Sequence, residues 1–137
     1  MLIDARELAD GRRVDADVCI VGAGAAGITL ARELAAARRS VVLLEAGGLA
    51  FDDTTQAMYA GSVADSDPAL PADYLTTSRL RFLGGTTNHW EGWCRPFDPI
   101  DFEARSWVPL SGWPFGREEL DPYYERACRH LQIDRLD

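Results

Sequence analysis

Three glycines and a carboxylate carry the plainest chemistry in this chain. Gly22-Ala23-Gly24-Ala25-Ala26-Gly27 is a complete G-x-G-x-x-G, and Glu45 follows about 20 residues later. In such a loop the first glycine makes a tight turn. The second lets a pyrophosphate approach without meeting a Cβ, and the third lets a helix pack closely on a sheet. N–H groups at the helix start and the positive end of its dipole hold phosphate oxygens. A carboxylate at Glu45 accepts hydrogen bonds from ribose hydroxyls and repels a 2′-phosphate, which argues against NADP. The pattern alone leaves NAD and FAD both open.

A second group lies downstream. Gly84-Gly85 breaks the backbone, and Thr86, Thr87, Asn88, His89 and Trp90 then crowd hydrogen-bond donors into one turn, followed by Glu91, Trp93, Cys94 and Arg95. Polar and aromatic groups this dense behind a glycine pair suit a ligand-lining loop over residues 84–95, with threonine hydroxyls reaching the heteroatoms of a flat ring. The bland alternative is a capped turn around a buried tryptophan.

The elements that must position these groups are equally legible. Asp17-Val18-Cys19-Ile20-Val21 has the length of a buried strand, and Cys19 within it is expected to be a small apolar filler. Helical periodicity follows, with Ile28, Ala31, Leu34 and Ala35 on one face and Arg32, Glu33 and Arg38 turned away. Val41-Val42-Leu43-Leu44 is a second strand, closed by Glu45, Ala46 and Gly47-Gly48. Strand, glycine loop, helix and strand within about 30 residues predict one right-handed βαβ unit over residues 17–47. This is an α/β, Rossmann-like arrangement. One such unit leaves a sheet edge and a sheet face uncovered. The expectation is therefore the N-terminal piece of a longer protein, with the remainder of its own chain as a partner.

The rest of the sequence adds less chemistry. A short helix is expected over Ala5 to Ala9 with a turn at Asp10-Gly11, and another helix from Thr54 to Tyr59. Asp65-Ser66-Asp67-Pro68 and Pro71 are turn signals. Asp52, Asp53, Asp65, Asp67 and Asp73 have no EF-hand spacing and read as solvated turn residues. Leu80 to Leu83 is a short strand or an extended arm. Asp98 to Phe102 turns into a short helix. An amphipathic helix is expected over residues 117–131, with Leu120, Tyr124, Ala127 and Leu131 on one stripe and Pro122 in its first turn. Cys128 and His130, two apart, fall on different faces and form no metal pair.

Composition bounds the function. Of 137 residues, 47% are hydrophobic and 26% charged, an ordinary globular balance, and the net charge of −8 opposes nucleic-acid binding. All 14 basic residues are arginine, so no lysine Schiff base forms within this stretch. Three cysteines without a C-x-x-C read as reduced thiols. No apolar run has transmembrane length and no secretory pattern opens the chain. The expected location is cytoplasmic.

Taken together, VGAGAAGITLARELA, VVLLEAG, GGTTNHW, the Trp113-Pro114 pair and LDPYYERA resemble the N-terminal portion of the GMC (glucose–methanol–choline) oxidoreductases, from Asp17 to about Ile133. The resemblance implies FAD as cofactor and an incomplete N-terminal fragment of a larger two-domain flavoenzyme. It implies that Gly22, Gly24, Ala25, Ala26 and Gly27 hold the pyrophosphate, that Glu45 and Ala46 meet the adenosine ribose, and that Gly84, Gly85, Thr86, Thr87, Asn88 and His89 line the flavin. Many members carry G-G-S-S-x-x-N in the flavin loop. Here Thr86-Thr87 replace the serines and Trp90 stands where that asparagine falls. The His-Trp pair resembles the pyranose 2-oxidase and bacterial sugar dehydrogenase subset, which makes His89 a candidate covalent flavin ligand beside the noncovalent alternative. The implied reaction oxidises a CH–OH group of a sugar, glycoside or other small alcohol, by hydride transfer to flavin N5 with a histidine base. In the family that base lies near the C-terminus. No catalytic residue is therefore assigned in this segment, which is expected to be inactive alone. The alternatives are an NAD-dependent dehydrogenase and a non-catalytic nucleotide-binding module.

Overall fold

The computed structural model describes residues 1–62 and 70–134, so the turn read at Asp65-Ser66-Asp67-Pro68 lies outside the described residues. The chain divides into two compact units, Met1–Trp90 and Glu91–Asp137.

In the first unit, strands Val18–Val21 (β1) and Val41–Leu44 (β2) pair in parallel, with Val18 opposite Val41 and Val21 opposite Leu44. Helix Ala25–Ala36 (α1) connects them, giving the expected strand–loop–helix–strand order. At the start of the strands, Asp17 and Ser40 hold each other. The Ser40 N–H and Oγ–H both donate to Asp17 Oδ2 at 2.8 Å, and the Asp17 N–H donates to Ser40 Oγ at 2.9 Å. The Ser40 backbone and hydroxyl bonds hold the Asp17 carboxyl below its ordinary pKa. Ile20 is buried beside Gly27 of α1, and Ala23 is 1% exposed. Along α1, Ile28, Ala31 and Leu34 are the partly covered positions of the expected stripe, whereas Ala35 is exposed and Glu33 is half-buried.

One expectation is overturned. Cys19 is exposed and is no core filler. Side chains alternate along a strand, so Ile20 takes the face under α1 while Cys19 and Val21 take the other. Val21 is 83% exposed and its cross-strand neighbour Leu44 is also exposed. An all-apolar strand implies cover on both faces, and the described residues cover one.

Beyond β2 come two short helices, Asp53–Ala57 (α2) and Tyr74–Thr77 (α3). Asp52 caps α2, its side chain accepting from the Thr55 N–H at 2.6 Å. Near the N-terminus the expected helix is a single 3₁₀ turn, Ala5–Glu7, capped by Asp4. Leu80 to Leu83 is an irregular arm and no strand.

The second unit is built on aromatic contacts. Phe102 is buried, with the Phe97 ring 6.2 Å away edge-on and the Phe115 ring 6.1 Å away, and Trp113 tilts onto Phe115 at 5.5 Å. A 3₁₀ turn, Pro99–Phe102, opens it with a capping box between Asp98 and Asp101. The expected C-terminal helix divides into a 3₁₀ turn, Arg117–Glu119, and an α-helix, Asp121–Leu131 (α4). Leu120, Tyr124 and Ala127 are partly covered and Cys128 is buried, while Leu131 at the helix end is 42% exposed. The Tyr124 hydroxyl anchors this helix by accepting from the Phe97 N–H at 3.1 Å.

Candidate functional site

The first strand ends in a turn that only glycine takes easily, since Gly22 has φ +99°. Its N–H continues the sheet by donating to the Leu44 carbonyl at 2.7 Å. Gly24 then caps α1. The first intrahelical donor is Ile28, to the Gly24 carbonyl at 2.9 Å, so helix geometry leaves the N–H groups of Ala25, Ala26 and Gly27 without intrahelical acceptors. No side chain caps this end and no acidic residue stands in the first turn. The positive end of the dipole therefore meets no countercharge from its own helix.

The two remaining glycines differ in what surrounds them. A Cβ on Gly24 would meet nothing within 4 Å, so this position borders open space. A Cβ on Gly27 would overlap the Gly22 carbonyl oxygen, so its bareness serves the packing of helix on loop. One glycine keeps room for a ligand and the other keeps the loop closed.

Glu45 lies just past β2, half-buried. Its carboxylate accepts from the Ala23 N–H at 2.7 Å through Oε2 and from the Gly47 N–H at 2.9 Å through Oε1. The carboxylate thus ties the glycine loop to the end of the second strand. A carboxylate has about four lone-pair sites, so two remain for hydroxyl donors. Ala46 beside it is exposed.

The second predicted group is brought against the first. Gly84 and Gly85 have φ +91° and +57° and lead into a 3₁₀ turn, Gly85–Asn88. The Gly84 N–H donates to the Ala23 carbonyl at 2.8 Å, Gly24 and Gly84 form a parallel bridge, and the Leu83 N–H donates to the Gly48 carbonyl at 3.0 Å. A Cβ built on Gly85 would lie 3.4 Å from the Gly24 Cα. Gly47 is more tightly constrained, because a Cβ there would overlap the Arg81 and Phe82 backbone. Two glycine segments far apart in sequence are in backbone contact.

Between them is an open cleft of about 520 Å³. Gly22, Gly24 and Gly27 with Ala25 and Ala26 form one wall, Thr86 and Thr87 another, and Ile20, Val21 and Leu30 supply apolar surface. The Thr86 Oγ accepts from the Leu80 N–H at 3.3 Å, which leaves its own proton to donate. The Thr87 hydroxyl donates to the Gly84 carbonyl at 2.5 Å. Asn88 looks inward to the turn, its Nδ2 donating to the Leu83 and Gly85 carbonyls at 2.9 Å. His89 caps the turn from an exposed position, and neither it nor Asn88 lines the cleft. Trp90 is 42% exposed, so the capped turn of the bland alternative is present while its buried tryptophan is not. Residues 91–95 belong to the second unit, where Arg95 pairs with Asp98 at 2.6 Å on the surface. Sequence reasoning missed Ile20, Val21 and Leu30 as cleft residues. The signal was available, since they flank the fingerprint at the strand end and on the second turn of the helix.

The cradle suits a dinucleotide diphosphate on two observations. Donors at the start of α1 are unclaimed by the helix, and the space beside Gly24 is open. Residues 17–137 match the model of the FAD dependent oxidoreductase family, and the chain belongs to that family. It is similar to paromamine 6'-oxidase of Streptomyces fradiae, 30% identical over 131 residues that cover 85% of this chain. It is also similar to 6'''-hydroxyparomomycin C oxidase of Streptomyces lividus, 29% identical over 131 residues and likewise 85% of this chain. A third relative is 2-methyl-1,2-propanediol dehydrogenase of Mycolicibacterium austroafricanum, 27% identical over 138 residues and 80% of this chain. The chain spans 23% of the length of each of these relatives.

Proposed function

We propose that this member of the FAD dependent oxidoreductase family is the cofactor-binding N-terminal segment of a GMC-type enzyme that oxidises a CH–OH group of a sugar or other small alcohol. The observation that carries the reading is the docking of the Gly84–Asn88 turn onto the Gly22–Gly27 loop, with one cleft between them. In this reading residues 1–137 are part of one FAD-binding domain, and the substrate-binding and catalytic parts belong to the remainder of a cytoplasmic enzyme. The names of the relatives, a paromamine 6'-oxidase, a 6'''-hydroxyparomomycin C oxidase and a 2-methyl-1,2-propanediol dehydrogenase, support hydroxyl oxidation as the reaction class.

FAD supplies the hydride acceptor when bound. The chain's own residues bind and orient. The N–H groups of Ala25, Ala26 and Gly27 receive the diphosphate, with Gly22 and Gly24 keeping the backbone bare where it approaches. Glu45, already fixed by Ala23 and Gly47, offers its remaining lone pairs to ribose hydroxyls, with Ala46 alongside. Gly84, Gly85, Thr86 and Thr87 meet the ring system, Asn88 holds the turn that presents them, and His89 is the candidate for a covalent bond to it.

The test is made on the purified full-length enzyme. It is expected to be yellow, to release FAD and not FMN from the noncovalent pool, and to bleach when given an oxidisable alcohol or sugar. Turnover with soluble NAD and no bound flavin would overturn the reading. Denaturation in acid then separates the two modes of attachment. Flavin mass on the His89 peptide shows the covalent bond, and a flavin-free peptide refutes it while leaving FAD binding intact.

A further inference from the structure

Gln56 is a polar side chain that the site does not use directly, yet it is 7% exposed. Burying an amide in so small a unit costs stability unless its hydrogen bonds are made, and here they are. Its Nε2 donates to the Thr76 carbonyl and to the Arg79 carbonyl, both at 2.6 Å, and its Oε1 accepts from the Arg81 N–H at 3.0 Å. The Thr76 carbonyl lies in the last turn of α3, and the Arg79 carbonyl and Arg81 N–H belong to the irregular arm that follows, which has no strand ladder to satisfy them. The side chain thus stands in for the missing ladder.

The grip has a specific place. Arg79 and Arg81 flank Leu80, whose N–H donates to Thr86 Oγ on the cleft wall. Two hydrogen bonds therefore connect α2 with a threonine that faces the cofactor cleft. Tyr59, just beyond α2, adds to the clamp. The guanidinium carbons of Arg79 and Arg81 lie 4.4 and 5.0 Å from its ring centroid, so both arginines stack on one residue of the same turn. Tyr59 itself is fixed by its N–H, which donates to the Gln56 carbonyl at 3.0 Å.

We infer that Gln56 is a positioning residue for the cofactor: by gripping the backbone on both sides of Leu80 it sets where Thr86 and Thr87 stand against the glycine loop. The inference rests on the reading of the cleft as the FAD site. A leucine at this position keeps the volume and loses all three hydrogen bonds, leaving two carbonyls and one N–H unpaired. The arm then shifts to find other partners, and the turn it carries shifts with it.

The experiment compares full-length Gln56→Leu with wild type and with Ser40→Ala, which weakens the far end of the same sheet. Gln56→Met serves if the leucine variant does not fold. Amide hydrogen exchange is read first, on protein stripped of ligand. Residues 80–88 are expected to lose protection in the Gln56 variant while β1 and α1 keep theirs, and Ser40→Ala leaves 80–88 unchanged. Flavin is read second, at a temperature where all three proteins are folded. The Gln56 variant is expected to bind FAD about tenfold or more weaker, with a displaced visible band, whereas Ser40→Ala keeps the wild-type affinity and spectrum. Unchanged exchange at 80–88, or a loss of thermal stability with wild-type FAD affinity and spectrum, would overturn the inference. If the wild type binds no flavin, the reading of the cleft fails and the role assigned to Gln56 falls with it. That result is distinct from failure of the clamp, because exchange is measured without ligand.

Discussion

The two ends of the β1–β2 pair solve one problem in different ways. At each end a carboxylate crosses from strand to strand and accepts backbone N–H groups. Asp17 takes the N–H and hydroxyl of Ser40, and Glu45 takes the N–H groups of Ala23 and Gly47. At the Asp17 end the exchange is closed, because Ser40 Oγ accepts in return from the Asp17 N–H. At the Glu45 end it is open. The helix starts beside it with donors unclaimed, Gly24 borders empty space, and a second glycine turn has been brought up to form a wall. A strand end that only has to be held needs two residues. At the other end the Glu45 carboxylate stabilises the loop without taking the donors at the start of α1.

The largest effects should come from the glycines, and they should be of opposite kinds. Gly24→Val places its side chain in open space at an ordinary negative φ of −80°. The variant is expected to fold with near-native melting temperature and to retain no FAD, read by absorbance of the purified protein. Gly27→Ala drives a methyl into the Gly22 carbonyl. It is expected to lose about 3 kcal/mol, the upper range for overpacking, because the obstructing atom is backbone. If the two variants behaved alike, the distinction between room for a ligand and closeness of packing would be lost.

Smaller changes are expected at the carboxylates. Glu45→Gln leaves one amide edge facing an N–H it cannot accept. This should cost about 1.5–3 kcal/mol in chemical denaturation, as for other hydrogen bonds to charged groups, and weaken FAD retention as well. Asp17→Asn should lower stability slightly and leave FAD affinity untouched. Its pH dependence has a definite sign. The folded-state pKa of Asp17 is depressed, so the stabilisation is present above the unfolded-state value and lost as pH falls through the folded one. The stability gap between wild type and Asp17→Asn should therefore be widest near neutrality and close below the ordinary carboxylate range. A gap that persisted in acid would show that shape, not charge, holds that end.

The βαβ unit was legible because its signals are local. Two short apolar runs, a glycine loop and a helical stripe from Ile28 to Leu34 specify it within one stretch of chain. The turn behind Gly84-Gly85 was legible as a turn for the same reason. What pairs the two is a backbone contact between Gly24 and Gly84, and no local property of either segment announces a partner sixty positions distant. Gln56 was illegible on the same grounds, since a glutamine in a short polar helix looks like solvent-facing sequence until the arm it grips is in place. Cys19 misled in the other direction. An apolar run states that a strand wants cover on both faces, not that the residues at hand provide it.

The seam between Gly24 and Gly85 has a consequence for anyone redesigning this protein. A Cβ built on Gly85 is already in contact with the Gly24 Cα at 3.4 Å, so bulk beyond a methyl on that side meets the Gly22–Gly27 loop. Grafting the counterpart of the Gly84–Asn88 turn from another oxidoreductase onto this chain would therefore require transplanting both segments together, as a lock is replaced with its strike plate.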